Sequence, residues 1–259
     1  MNIKKPEIIV CKDEPALYQK ACNAFVKIAG ESIRDRGSFN VALSGGRTPA
    51  PLYECLCSQE TREKIDWARV NFFWGDERCV PPDDAESNFR MAKEKLLNKL
   101  NIPEENIHRI KGELGEQGAH EYEEELKAFF QLGAGQMPRF DLVLLGMGGD
   151  GHIASLFPGG TAVSEEVSMV AAQYVEKLKA LRITLTPPVI TSARNIIFLV
   201  KGREKSPTLY EVLRGKFDPV RLPAQLTFLS EGSSTWFVDK EAALLLKDLQ
   251  GNGAPGAPD

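Results

Sequence analysis

The segment Gly146–Pro158 contains the residues whose types and spacing are best suited to catalysis. It has four glycines in its first six residues, and Asp150 and His152 lie two positions apart. A carboxylate at that spacing can orient an imidazole for proton transfer. N–H groups of the glycine loop, including those of Gly148 and Gly149, can stabilise an oxyanion. The segment therefore predicts an acid–base site at His152, although an isolated histidine is more often structural.

The same loop also imitates a nucleotide-binding fingerprint, because its glycines match the pattern Gly146-x-Gly148-x-x-Gly151. In dinucleotide-binding folds a helix continues directly from that pattern, and an acidic residue ends the next strand roughly 20 residues later. Here Pro158 and two further glycines break the chain within a turn or two, and the acidic pair that follows comes before any predicted strand. We therefore expect neither NAD nor FAD as a cofactor.

A second loop has the composition of a phosphate cradle. It follows a predicted strand, and its residues are Ser44, Gly45, Gly46, Arg47 and Thr48. Paired glycines let the backbone approach a ligand, and the N-terminus of the helix that should begin at Pro49 adds positive potential. The spacing is not that of a P-loop, because no Gly-Lys-Ser/Thr follows. The alternative is a plain glycine turn in which Thr48 caps the helix.

A third loop has the sequence Gly75-Asp-Glu-Arg78 and follows an apolar, aromatic stretch that predicts a strand. Ligands of such folds bind beyond the carboxyl ends of strands. Arg78 can pair with a phosphate there, at roughly 1.5–3 kcal/mol for a charge-assisted hydrogen bond. The two acidic residues before Arg78 would orient its side chain. An equally good interpretation of this loop is a solvated turn without a function.

Alternating strands and helices must position these three loops. Short apolar runs predict strands over residues 7–11, 39–43, 70–74, 142–145, 167–171, 182–185, 196–200 and 235–238. Amphipathic stretches predict helices over residues 14–35, 49–56, 88–100, 117–131, 187–193, 205–214 and 240–249. This alternation is typical of an α/β protein with a mostly parallel sheet covered on both faces. We expect one catalytic domain over residues 1–249 and a disordered tail over 250–259, because the tail cannot bury apolar surface.

Composition and charge exclude several classes of protein. The 259 residues are 42% apolar and 26% charged, and the net charge of −4 gives no whole-surface attraction to nucleic acid or an anionic membrane. No apolar run is long enough to span a bilayer. The five cysteines lack the spacing of a zinc site, which favours reduced, mostly buried thiols and a cytoplasmic location. The other two histidines, His108 and His120, lie in polar sequence and are expected at the surface.

Taken together, the three loops resemble the 6-phosphogluconolactonase family. The similarity covers residues 44–49, 74–81 with Ser87-Asn88 beyond, and 146–158, and it is reinforced by residues 182–186 and 222–225. Their order and spacing match through nearly the whole chain. The resemblance implies a Rossmann-like three-layer α/β/α sandwich, as in glucosamine-6-phosphate deaminases and ribose-5-phosphate isomerases. It also implies hydrolysis of 6-phospho-D-glucono-1,5-lactone in the oxidative pentose phosphate pathway, without metal or organic cofactor.

The resemblance implies roles for individual residues. His152 would take a proton from the attacking water, and Asp150 would position His152 or the sugar. The loop 44–48 and Arg78 would hold the 6-phosphate, and the glycine loop would stabilise the oxyanion.

Further substrate contacts are implied for Arg182 and for a lysine shortly before it. Lys177 lies at the matching distance, but Lys179 is an alternative, because the prolines that usually flank this lysine are missing. Arg47 stands where many relatives have serine, so it either adds a phosphate contact or points to solvent.

Two other functions are possible alternatives. Glucosamine-6-phosphate deaminases share the Gly-x-Asp-Gly-His segment but usually continue with a catalytic carboxylate, whereas residues 154–158 contain no acid. They also tend to have tyrosine in place of Arg78. A sugar-phosphate sensor of the same fold would need an added DNA-binding domain, for which the sequence offers no segment. We expect a sugar-phosphate lactone as the ligand, no nucleic-acid or membrane partner, and a monomer or weak homodimer.

Overall fold

A computed structural model describes residues 3–249 of the chain. The strands are β1 (Glu7–Cys11), β2 (Phe39–Leu43), β3 (Val70–Trp74), β4 (Asp76–Arg78), β5 (Leu142–Gly146), β6 (Val170–Val175), β7 (Ala180–Leu185), β8 (Asn195–Val200) and β9 (Ser233–Asp239). The α-helices are α1 (Glu14–Arg36), α2 (Ala50–Leu56), α3 (Gln59–Arg62), α4 (Asn88–Lys95), α5 (Glu116–Phe129), α6 (Pro187–Thr191) and α7 (Ser206–Arg214). The tail predicted for residues 250–259 lies outside the described residues.

A six-stranded parallel sheet forms the centre of the molecule, with the strand order β1-β9-β8-β5-β2-β3. Its inner strands read as apolar runs, and every residue of β8 except the first is buried, as is typical of strands covered on both faces. Helices flank this sheet, so the predicted three-layer α/β/α sandwich with a mostly parallel sheet is confirmed.

The sheet contains a topological switch point between β2 and β5. From β2 the chain crosses to β3 on one side, while β5 pairs with β2 on the other side, with Ala42 opposite Val143. Connections that leave in opposite directions open a crevice beyond the carboxyl ends of the two strands, where ligands bind in such folds. The loops after β2 and β5 are the two glycine-rich loops, so the topology itself brings them together.

A second, three-stranded antiparallel sheet has the order β4-β7-β6, and it was not predicted. The prediction that Asp76–Arg78 form a loop was wrong, because these residues pair with β7. The strand predicted over residues 167–171 begins at Val170 instead. The physical reason is that Glu165 Oε1 accepts the N–H groups of Val167 and Ser168, at 2.9 and 2.8 Å, and so ties them into a turn.

Two helix ends also differ from the prediction. Helix α4 ends at Lys95 instead of residue 100, because Leu96 leaves the helical region with φ −129° and ψ −65°. The helix predicted over residues 240–249 is a turn followed by a 3₁₀ segment at Leu244–Leu249. There the Asp239 carboxylate accepts the N–H of Ala242 at 2.7 Å, which competes with a helical first turn.

The prediction that His108 lies at the surface was wrong, whereas His120 is exposed. The backbone N–H of His108 donates to Phe72 O at 2.8 Å, which places its ring against Phe73 with centroids 4.3 Å apart. His108 Nδ1 lies 2.7 Å from Glu125 Oε1 on α5. His108 is therefore a packing residue beneath α5.

The cysteines are unpaired, as expected, but fewer of them are buried than the sequence predicted. All five thiols are free; Cys11 and Cys22 are buried, and the other three are half-buried. Among the helices that the structure describes, none has the length and apolar character needed to cross a bilayer.

Candidate active site

A cavity of about 430 Å³ lies beyond the carboxyl ends of β2 and β5. Its lining combines the three predicted loops with two residues that had no predicted role in the site, Asn88 and Lys205. The full lining is Ser44, Gly45, Gly46, Arg47, Thr48, Asp76, Arg78, Asn88, Gly146, Met147, Gly148, His152, Ala154 and Lys205. Four predicted site residues are not on this lining, namely Gly149, Asp150, Lys177 and Arg182. Gly149 follows the lining residue Gly148 in the chain, and Asp150 contacts His152. Arg182 lines an adjoining cavity, and Lys177 contacts Asp150.

His152 and Asp150 form a hydrogen-bonded pair at the cavity wall. His152 Nδ1 lies 2.6 Å from Asp150 Oδ1, and the imidazole packs on Phe157 with ring centroids 4.3 Å apart. A carboxylate only accepts hydrogen bonds, so in the neutral imidazole Nδ1 carries the proton and the lone pair is on Nε2. The pair therefore has the arrangement of a general base with an orienting carboxylate.

Asp150 is held in its ionised form. Its hydrogen bond from His152, together with a smaller contribution from Lys177, keeps the pKa of Asp150 well below its ordinary value. Lys177 Nζ lies 3.1 Å from Asp150 Oδ2, whereas Lys179 occupies the turn with φ +49°. Of the two lysines, Lys177 is thus the one joined to the site, and it reaches Asp150 rather than the cavity.

Gly148 lets the imidazole approach the loop backbone. A Cβ at this position would lie 2.0 Å from His152 Nδ1 and 2.7 Å from Asp150 Oδ1, so any side chain would break the pair. The Gly148 N–H donates to His152 O at 2.9 Å, and Gly149 O accepts from Thr208 Oγ1 at 2.6 Å. These bonds show the loop as a close-fitting support, while donation by Gly148 and Gly149 to an oxyanion stays a prediction.

A segment distant in sequence fixes the other end of this loop. Gly151 has φ +85°, and its carbonyl accepts the N–H of Ala224 at 2.9 Å. Gln225 beside it donates from Nε2 to Val212 O and Lys216 O, both at 3.1 Å, and accepts from the backbone of Asp218. The sequence Leu222-Pro-Ala-Gln225 therefore acts as a clamp that holds the histidine loop.

The cradle loop after β2 is anchored by a buried tyrosine. Tyr53 Oη donates to Ser44 O at 2.7 Å and accepts the Ser44 N–H at 3.1 Å. The interpretation in which Thr48 caps the following helix was wrong, and so was the predicted start of that helix at Pro49. Helix α2 starts at Ala50, Pro49 holds the cap position, and no side chain makes the capping bond. Thr48 contributes instead through its carbonyl, which accepts from Tyr18 Oη at 2.8 Å.

In β4 the acidic residues do not pair with the guanidinium of Arg78. Glu77 is buried, and its carboxylate accepts the backbone N–H groups of Arg78, Asn88 and Phe89 at 2.7–2.8 Å, so it anchors the first turn of α4. Burial raises the pKa of Glu77, and these N–H groups offset only part of that shift. The Arg78 guanidinium donates to the carbonyl of Glu86.

Two arginines face each other across the β4–β7 ladder, Arg78 opposite Arg182. Burial, followed by the charge of Arg78, lowers the pKa of Arg182. Arg182 lines an adjoining cavity of about 810 Å³ that shares Gly46, Arg47 and Arg78 with the first. Arg47 is exposed and lies between the two cavities, so three guanidinium groups surround this junction.

The sequence motifs gave no role to Lys205, included Asn88 only in the family similarity, and gave Asp76 only an orienting role. Lys205 follows β8 in the same way that the three loops follow β2, β3 and β5. Because ligands of such folds bind beyond the carboxyl ends of strands, its place in the chain could have identified it. Asn88 stands at the start of a capped helix, where a polar residue is unremarkable. Within residues 3–249, no group of three or more His, Cys, Asp or Glu side chains is placed to hold a metal ion.

The sequence model of the family described as "Glucosamine-6-phosphate isomerases/6-phosphogluconolactonase" matches residues 12–236. The chain belongs to this family. A 6-phosphogluconolactonase of Synechocystis sp. is 39% identical over 239 residues, which cover 92% of this chain and 97% of that protein. A 6-phosphogluconolactonase of Haemophilus influenzae is 38% identical over 233 residues, covering 88% and 98%.

Solved structures agree with this family assignment. The 6-phosphogluconolactonase from Trypanosoma cruzi has a TM-score of 0.83 and 34% identity, with coverage of 95% of this chain and 98% of that one. A monomeric glucosamine-6-phosphate deaminase has a TM-score of 0.77 but only 20% identity, so it is similar in fold alone.

Proposed function

We propose that the protein hydrolyses 6-phospho-D-glucono-1,5-lactone to 6-phospho-D-gluconate. The observation that carries this proposal is the His152–Asp150 pair on one wall of a cavity whose other lining includes Arg47, Arg78 and Lys205. A base beside a cationic surface suits an uncharged ester with an anionic tail. The names of the family relatives support the same substrate.

In the proposed reaction, His152 Nε2 accepts a proton from water as the water oxygen attacks C1 of the lactone. Negative charge develops on the carbonyl oxygen, and the bond between C1 and the ring oxygen then breaks. The imidazolium returns its proton to the ring oxygen, so one water is consumed and no cofactor is required. General-base catalysis of this kind contributes roughly 10²–10⁴ in rate.

The phosphate is proposed to bind remotely from His152 and to orient C1. Arg78, Lys205 and the backbone of residues 44–48 supply its contacts, with Arg47 and Arg182 adding charge from the adjoining cavity. Binding energy from a distant dianion can be used to hold the reacting carbonyl in place.

The physiological setting is proposed from the same features. The reaction would belong to the oxidative pentose phosphate pathway, and the free thiols favour a cytoplasmic enzyme. We propose that residues 1–249 act as one catalytic domain, as a monomer or weak homodimer.

The direct test is proton release from freshly prepared 6-phosphogluconolactone, measured against spontaneous hydrolysis. His152→Asn should lower kcat by about 10²–10⁴. The matched control is His120→Asn, which changes an exposed histidine on α5 and should keep full activity. A fully active His152→Asn protein overturns the mechanism, and ammonia release from glucosamine 6-phosphate would move the assignment to the deaminase.

A further inference from the structure

The side-chain amide of Asn88 is fully buried, yet its Oδ1 accepts no hydrogen bond from any residue between 3 and 249. Its orientation is set by its nitrogen, because Nδ2 donates to Asp76 O at 2.9 Å and to Asp76 Oδ1 at 3.1 Å. Native proteins rarely leave a buried acceptor unpaired, and such an exception calls for an explanation such as a role in catalysis or an ordered water.

Asn88 is one of the residues that line the cavity, and its unpaired oxygen packs against the cradle loop. A Cβ built on Gly45 would lie 1.7 Å from Asn88 Oδ1. Only glycine at position 45 leaves room for the amide. The close approach of Gly45 and the two bonds to Asp76 therefore hold the oxygen in one place.

The neighbouring polar group on this wall is also an acceptor. The Asp76 carboxylate lines the cavity, and its Oδ2 accepts from Ser155 Oγ at 2.8 Å. Asp76 and Asn88 thus offer oxygens, whereas Arg78 and Lys205 offer N–H donors to the same space. A phosphate dianion has no donor for Asn88 Oδ1, but an alcohol O–H does.

We propose that Asn88 Oδ1 accepts a hydrogen bond from one secondary hydroxyl of the lactone ring and makes Asn88 a specificity-determining residue. This inference rests on the proposed function. A ligand that lacks the hydroxyl leaves the buried oxygen unpaired, and sites built to bond a substrate hydroxyl reject analogues that lack it. The acceptor oxygens of Asp76 and Asn88, together with the cations Arg78 and Lys205, fix the orientation in which the substrate binds.

The first test compares the unmodified protein on 6-phosphogluconolactone and on its 2-deoxy, 3-deoxy and 4-deoxy analogues. One analogue should lose about 10- to 100-fold in kcat/KM, the usual effect of leaving a buried hydrogen-bonding group unpaired. If all three analogues stay within about threefold of the parent, the inference is overturned. No turnover of the parent lactone would instead overturn the proposed function.

The second test assigns the effect to Asn88 with a double-mutant cycle. Asn88→Ala should lose the same factor on the parent lactone, and should lose nothing more on the sensitive analogue. The control is Asn195→Ala, whose amide donates to Asp141 O at 2.9 Å at the other end of the sheet and should not alter discrimination. Equal losses by Asn88→Ala on the parent and all three analogues would show that a bound water, rather than substrate, satisfies Oδ1. If Asn88→Ala does not fold, the analogue series on the unmodified protein can still overturn the inference.

Discussion

The ammonium group of Lys177 lies 3.1 Å from Asp150 Oδ2 and leaves Oδ1 to His152. Family resemblance implied a substrate contact for this lysine. In the structure its ammonium contacts the carboxylate of Asp150 instead. Three charged or titratable groups are therefore linked in one row, from an exposed lysine to the imidazole at the cavity.

Replacing Lys177 with methionine should lower kcat/KM only several-fold. The loss is small because the Lys177 side chain is 72% exposed and solvent screens its ion pair with Asp150. Loss of the ammonium removes one of the contacts that lower the pKa of Asp150 and hold its carboxylate in place. Lys179→Met, in the same turn, is the control and should leave kcat/KM unchanged. Equal kcat/KM values for both variants would contradict the link through Asp150.

Gly148→Ala should abolish most of the activity while the protein still folds. The new methyl would lie 2.0 Å from His152 Nδ1, so the imidazole must move away from Asp150. A displaced base should cost at least about 10²-fold in kcat. Gly30→Ala on α1 is the control, since its methyl meets no atom within 4 Å and should leave kcat as it is. An active Gly148→Ala enzyme would show that the Asp150–His152 bond is dispensable.

Lys205→Met should raise KM by about 10- to 100-fold, the range expected for one charge-assisted hydrogen bond to phosphate. The turnover number should change much less, because the phosphate is remote from the reacting carbonyl. Arg203 lies two residues earlier in the same 3₁₀ turn but not on the cavity lining, so Arg203→Met is the control. A fall in kcat at constant KM would argue that Lys205 acts at the carbonyl instead.

Glu77 should make stability depend on pH in the unusual direction for a carboxylate. Burial raises its pKa in the folded state, so its protonated form is favoured by folding. That contribution is complete below the ordinary pKa of glutamate and is lost as pH rises through the raised value. The free energy of unfolding of the unmodified protein, relative to Glu77→Gln, should therefore decrease from about pH 4 to pH 7. Urea titrations of both proteins across this range measure the difference, and a flat or rising difference would contradict the assignment.

The parallel core was predictable because its signals are local. β1, β2 and β3 were predicted with their observed bounds, since each is a short apolar run between turn residues. The small antiparallel sheet was not predictable in this way. Its β4 strand is the polar sequence Asp76–Arg78, which forms a strand only because β7 is brought beside it by the rest of the fold.

The site, too, was predictable only where its signals are local. Composition identified the glycine-rich loops, and spacing identified the pair of Asp150 and His152. Neither signal gave Asn88 or Lys205 a role in the site, because their positions on the cavity depend on tertiary contacts. Gly45 and Gly148 were predicted to bring backbone N–H groups to a ligand. The structure shows that each also leaves room for a side chain, that of Asn88 at Gly45 and that of His152 at Gly148.

The edge of the central sheet has a consequence for how the chain folds. Among the strands of residues 3–249, β1 is an outermost one and pairs with β9 alone, with Glu7 opposite Thr235. During synthesis β1 must therefore wait until β9 has left the ribosome before it can pair. Contacts of such large sequence separation form slowly, and an unpaired strand is prone to aggregation meanwhile. Truncations that remove β9 should release β1 as well, so these two strands form one cooperative unit.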